Sequence, residues 1–206
     1  MAIVVACGGW ALSLPGRAER VSSPDPAHAL DGAALVRALR AGGLTLYFRH
    51  TATDFSRNDA KMTSHEDCAT QRLLSDSGRA QARVIGEHIR ALSIPVGEVL
   101  ASPFCRTMDT GRLMFGRATA AVSVRGYVGT DTSRTDYRAL DTLLGTPPAA
   151  GTVRAITGHG NPFRAIGGPP HLAEGEAAVI KPLGNRWVVV ARIAPDGWSA
   201  LATAAR

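Results

Sequence analysis

Three short stretches of the chain carry residues suited to handling an anion: Arg49-His50-Thr51, Ser102-Pro103 running on to Arg106, and Gly158-His159-Gly160. A guanidinium fork matches phosphate or carboxylate bidentately, and a neutral imidazole can act as a nucleophile or a proton carrier. Taken singly, an Arg-His pair is an ordinary surface feature and a histidine between glycines an ordinary loop residue. The force lies in the conjunction. Each stretch closes a short β-rich run: LTLYFRH at 44–50, GEVLAS at 97–102 and VRAITGH at 153–159. If these runs are parallel strands, their carboxyl ends meet at one rim, which is where open α/β sheets bind ligands. Arg106 falls in the first turn of the helix that Pro103 opens, where unpaired backbone N–H groups and the helix dipole favour an anion.

The elements that must position these residues follow from periodicity. Ser22-Ser23-Pro24-Asp25-Pro26 reads as a linker, and AHALDGAALVRALRAGG then places Leu30, Ala33, Leu35 and Leu39 at near-helical spacing before Gly42-Gly43 stops it. Residues 51–72 are polar and aperiodic, a loop of functional length. A helix follows Ser75-Asp76-Ser77-Gly78, with Ala82, Ile85, Ile89 and Leu92 on one face. FCRTMDTGRLMFG is the next helix, AVSV at 121–124 a weak strand, and 134–144 helical. GEAAVIKP and NRWVVVARI are strands joined by Leu183-Gly184-Asn185, so the sheet finishes as a hairpin. The alternation predicts a three-layer α/β/α domain with a mostly parallel central sheet and a C-terminal β-hairpin.

The length of 206 residues suits one such domain over 23–206, behind a separate segment at 1–22. That segment opens with MAIVVACGGWALSL, which is uncharged and too short to span a bilayer. It has the apolar stretch and small residues of an export signal without a basic start, and Val4-Val5-Ala6-Cys7 looks like a lipidation site. Export to the periplasm or envelope is expected, with a cytoplasmic location as the alternative, and any membrane association runs through this segment alone. Cys68 and Cys105 permit one pairing, although nothing in the sequence sets their distance.

Apolar residues make up 45% of the chain and charged ones 19%, enough for a core and against wholesale disorder. The net charge of +6 is nearly all arginine, since Lys61 and Lys181 are the only lysines among 23 basic residues. These arginines are scattered singly, where a nucleic-acid binder concentrates charge in a patch or run. No nucleic-acid partner is expected. His65-Glu66-Asp67-Cys68 resembles a ligand set, but consecutive loop residues rarely face one ion, and no second cluster completes a metal site. His88 reads as an exposed helix residue, His171 as a loop residue near the hairpin, and Trp187 and Trp198 as hairpin packing.

Arg49-His50-Thr51, LLSDSGRAQARVIGEHI, ASPFCRTMDTGRL with Ser102, Arg106 and Thr110, and GHGNP with His159 together resemble the histidine phosphatase superfamily and its phosphoglycerate mutase-like fold, over about 44–182. The ordered combination is far more specific than its parts. The likeness is to small bacterial, exported phosphatases, and it departs at Thr51, where many members carry glycine.

The resemblance implies a metal-independent phosphomonoester hydrolase that needs no cofactor and acts on a small phosphorylated substrate. His50 would be the nucleophile and carry a phosphohistidine. Arg49, Arg106 and His159 would surround the phosphoryl oxygens, with Thr51 able to offer a hydroxyl. The leaving group needs a proton, and the usual acids of the family are missing: Gly160 and Asn161 follow His159, and no glutamate lies between 107 and 158. Asp131 and Asp54 are the favoured donors; Asp136, Glu174 and Glu176 are further acids in reach of the rim. A phosphomutase using the same histidine, and a non-catalytic envelope anion-binding protein, are the competing readings. Oligomeric state is not legible.

Overall fold

The computed structural model describes residues 24–25, 27–126, 136–167 and 171–204. Six strands form one sheet: β1 (Thr45–Arg49), β2 (Val96–Ala101), β3 (Thr119–Ala120), β4 (Val153–Gly158), β5 (Ala177–Pro182) and β6 (Trp187–Ile193). Their order is β3-β2-β4-β1-β5-β6. The four strands from β3 to β1 run parallel, while β5 and β6 form the antiparallel hairpin at one side. The helices are α1 (Gly32–Ala41), α2 (Asp76–Ala91), α3 (Cys105–Phe115), α4 (Arg138–Gly145), α5 (Gly160–Gly167) and α6 (Gly197–Ala204). Among the described residues no helix is long and apolar enough to cross a membrane.

Strand alternation divides the interior into two cores. Leu46 and Phe48 of β1 face one side, where Leu35 and Leu39 of α1, Ile85 and Ile89 of α2, Met114 of α3 and Trp198 of α6 close over them. Tyr47 points the other way, among Leu140 and Leu144 of α4, Phe163 of α5, and Ala178 and Ile180 of β5. With both faces covered, β4 is buried along its length, Arg154 included, and β1 is buried up to Arg49. This is the expected three-layer architecture.

Local signals set the ends. Ser75 caps α2, its hydroxyl accepting from the Gly78 N–H. Gly116 ends α3 at φ 73°, a left-handed position that suits glycine. The structure differs from expectation in three places. AVSV forms a 3-10 turn over Val122–Val124, and the sheet's edge is Thr119–Ala120 instead. α5 and α6 were not anticipated. Trp198 belongs to α6 and stacks on Phe48 at 5.9 Å between centroids, whereas Trp187 does pack from the hairpin, against Phe163.

Candidate active site

Sheet register brings the three motif stretches together. Arg49 pairs with Gly158 across β1 and β4, and Ala101 with Thr157 across β2 and β4. The ladder continues one step past the strand ends, since His50 N–H donates to Gly158 O at 3.0 Å and Ser102 N–H to Thr157 O at 2.9 Å. His50, Ser102 and His159 therefore leave adjacent strands side by side. The two imidazoles lie 5.6 Å apart between centroids, and Ser102 Oγ is 2.9 Å from His159 Nε2.

His50 is 2% exposed. Its Nδ1 lies 2.9 Å from the backbone oxygen of Thr51. A carbonyl can only accept, so Nδ1 carries the hydrogen and Nε2 the lone pair. Nε2 has no hydrogen-bond partner among the described residues. Burial, the largest cause, with the charges of Arg106, Arg49 and Arg72 behind it, outweighs the Thr51 hydrogen bond and brings the pKa of His50 down to about 3. The ring is neutral at ordinary pH, and desolvation outranks the arginines in keeping it so. Burial likewise pushes His159 well below its usual range, helped by Arg106 and His50.

Arg106 enters from the first turn of α3 and is 5% exposed. Nη1 donates to Asp59 Oδ1 at 3.0 Å and to Arg72 O at 3.3 Å, and the guanidinium sits over the Phe104 ring at 4.5 Å. Its Nε is buried with no hydrogen-bond partner among the described residues. A buried N–H left unpaired costs roughly 1–3 kcal/mol, so a polar group bound beside it, such as a phosphate oxygen, would relieve that cost. Arg49 reaches the rim from β1, donating through Nη1 to Leu172 O at 2.9 Å.

The other expected site residues are placed as follows. Thr51 is buried with its hydroxyl 3.4 Å from Thr110 Oγ1, and its backbone oxygen is what serves His50. Asp54 turns to Ser56, accepting from that residue's N–H at 2.9 Å and hydroxyl at 2.7 Å, which lowers its pKa. Asp131 lies outside the described residues. Asp136 pairs with Arg138. Glu176 is bound by the Arg192 guanidinium, linking β5 to β6. Glu174 reaches the site itself, with Oε1 3.9 Å from His50 Nδ1 and 3.6 Å from Arg49 Nη2.

Two further residues belong to the cluster. Arg72 returns from the 51–72 loop, its guanidinium over the Phe55 ring at 4.8 Å and its charge acting on His50, His159, Arg49 and Arg106. A single arginine in an aperiodic loop gives no signal in sequence. His171 lies 3.4 Å from Arg49 Nη1 and packs so tightly on Gly160 that a Cβ there would come within 1.7 Å of its ring. The glycine after His159 is thus a packing requirement. Cys68 and Cys105 form a disulfide, which joins the 51–72 loop to the residue before Arg106 and removes Cys68 from any metal-ligand set.

The site is a buried neutral imidazole ringed by guanidinium groups. No curated protein sequence matches the chain. The family model of the histidine phosphatase superfamily (branch 1) matches residues 46–125, the span holding His50 and Arg106. Among solved structures, the phosphoserine phosphatase of Entamoeba histolytica with phosphoserine is 10% identical, covers 75% of this chain and 98% of its own, and has a TM-score of 0.52. A SixA structure from Nakamurella multipartitia is 17% identical, with 74% and 95% covered and a TM-score of 0.50. A mycobacterial glucosyl-3-phosphoglycerate phosphatase with inorganic phosphate is 14% identical, with 72% and 95% covered and a TM-score of 0.50. At these identities the likeness is one of fold. The chain thus has the phosphoglycerate mutase-like fold, and its 46–125 stretch is similar to the histidine phosphatase superfamily.

Proposed function

We propose that the protein is a metal-independent phosphomonoester hydrolase acting through a phosphohistidine on His50. The observation that carries this reading is the Nδ1–H bond to Thr51 O, which fixes the tautomer and leaves the Nε2 lone pair free inside a cationic pocket. Nε2 attacks phosphorus in line, and the ester oxygen departs with the bonding pair and a proton. Arg49, Arg106 and His159 hold the equatorial oxygens, whose charge is spread in the loose transition state. Water then attacks phosphorus, the N–P bonding pair returns to the ring, and inorganic phosphate leaves. Asp131, in the interval where the mutase-like branch carries its acid, is the proton donor this reading retains. The Cys68–Cys105 disulfide supports export to an oxidising compartment.

Hydrolysis of an aryl phosphate with chelator present, by wild type, His50→Ala and His159→Ala, is the test. Wild type should release phosphate and His50→Ala should not. Activity surviving in His50→Ala would remove the nucleophile, and dependence on added metal would remove the mechanism. A folded wild type that binds phosphate without turnover would instead be an anion-binding protein. For the donor, Asp131→Asn should slow an alkyl phosphate by about 100-fold or more while affecting an aryl phosphate less, since only the poor leaving group needs the proton.

A further inference from the structure

The ring edge of His50 away from phosphorus carries a carboxylate to which the transfer scheme gives no role. Glu174 lies in the segment between α5 and β5, with Oε1 3.9 Å from His50 Nδ1. The Thr53 hydroxyl donates to Oε1 at 2.8 Å and the Thr53 N–H to Oε2 at 3.3 Å, while Arg49 Nη2 is 3.6 Å from Oε1. Both oxygens are held, and the side chain is 17% exposed. Because Nδ1 is on the far edge from Nε2, this carboxylate stands behind the nucleophile, away from the leaving group.

The charges around the ring explain what it does there. Arg106 from α3, Arg49 from β1 and Arg72 from the loop all act on His50. They favour the neutral ring that attack requires. By the same sign they oppose what attack produces: as the Nε2–P bond forms and the P–O bond breaks, the ring keeps its Nδ1 proton and becomes a cationic N-phosphoimidazolium. Asp59 is occupied with Arg106. Among the described residues, Glu174 is the carboxylate within 4.0 Å of His50.

We infer that Glu174 is a positioning residue for the phosphohistidine, its fixed carboxylate offsetting the charge that develops on His50 as the Nε2–P bond forms. The inference rests on the phosphohistidine reading above. It has an asymmetric consequence. Stabilising the cationic intermediate speeds its formation, while in the second step the ring returns to neutral and gains nothing from the carboxylate. A glutamate that merely stapled Thr53 to the 171–176 loop would, when lost, slow both steps.

The test is rapid-quench kinetics on the full chain with radiolabelled p-nitrophenyl phosphate, stopped in base to preserve phosphohistidine, for wild type, His50→Ala and Glu174→Gln. Wild type should form labelled enzyme and His50→Ala should not. Glu174→Gln should form it about tenfold or more slowly, and tenfold is about 1.4 kcal/mol, yet hydrolyse it at the wild-type rate or faster. Absence of label in wild type, or label in His50→Ala, removes the phosphohistidine reading and this inference with it. With label present in wild type, equal slowing of both steps or no slowing in Glu174→Gln overturns the inference alone. If Glu174→Gln does not fold, Glu174→Asp, whose carboxylate is retracted by one methylene, must show the same asymmetry at smaller amplitude.

Discussion

At the scale of single residues, chemical type and position divide the acids and bases sharply. Arg106 is buried, anchored by Asp59 on one nitrogen, and presents an Nε unpaired among the described residues. Lysine would keep the charge but lose the planar fork and the second donor. Arg106→Lys is therefore expected to lower kcat on an aryl phosphate by about 100-fold, the scale of removing one donor from a developing anion, with an unchanged circular dichroism spectrum. Asp54→Asn should leave activity on alkyl and aryl phosphates close to wild type, because its carboxylate is spent on Ser56. A large loss in Asp54→Asn on the alkyl substrate alone would restore it as the proton donor. Both variants need only steady-state rates.

At the scale of elements, what was legible depended on how each element announces itself. α2 has a capped start and an unbroken apolar stripe, Ala82, Ile85 and Ile89, so its place was plain. α5 begins Gly160-Asn161-Pro162 and spans 8 residues, too few for a period to show, and its Pro162 looks like a breaker although the first turn tolerates proline. Arg49, His50 and His159 were readable because two strands end at them, and Arg106 because it opens the helix that follows a third. Arg72 and His171 were not, because loop geometry alone brings them in. The disulfide was likewise beyond the sequence: two cysteines 37 positions apart have no distance until Gln71 Oε1, accepting from the Cys105 N–H, seats the loop on α3. Closing that loop restricts the unfolded chain, and Cys68→Ser with Cys105→Ser should lose about 2–4 kcal/mol of stability. The guanidinium chloride midpoint under non-reducing conditions measures it; an unchanged midpoint would mean that the crosslink adds nothing in solution.

At the scale of the whole molecule, placing two neutral histidines under a sheet rim of arginines ties stability to pH. Burial brings the pKa of folded His50 down to about 3, from the ordinary imidazole value of 6.5. Its folded pKa is depressed, so the unfolded chain binds a proton that the folded one refuses. Stability from this group is fully present above pH 6.5, and it falls as pH drops from there toward 3. Between pH 7.5 and pH 5 the linkage relation gives a loss of about 2 kcal/mol for His50, and His159, lowered for the same reason, adds in the same direction. The positive net charge grows in the same window and reinforces the trend. Carboxylates also titrate in acid, so the decisive quantity is a difference between variants. Denaturant unfolding of wild type and His50→Asn at the two pH values should show a shallower loss in the variant, by about 2 kcal/mol, even if the variant is less stable at both. Parallel losses would mean that His50 takes up its proton in the folded state, and a ring protonated there could not be the nucleophile.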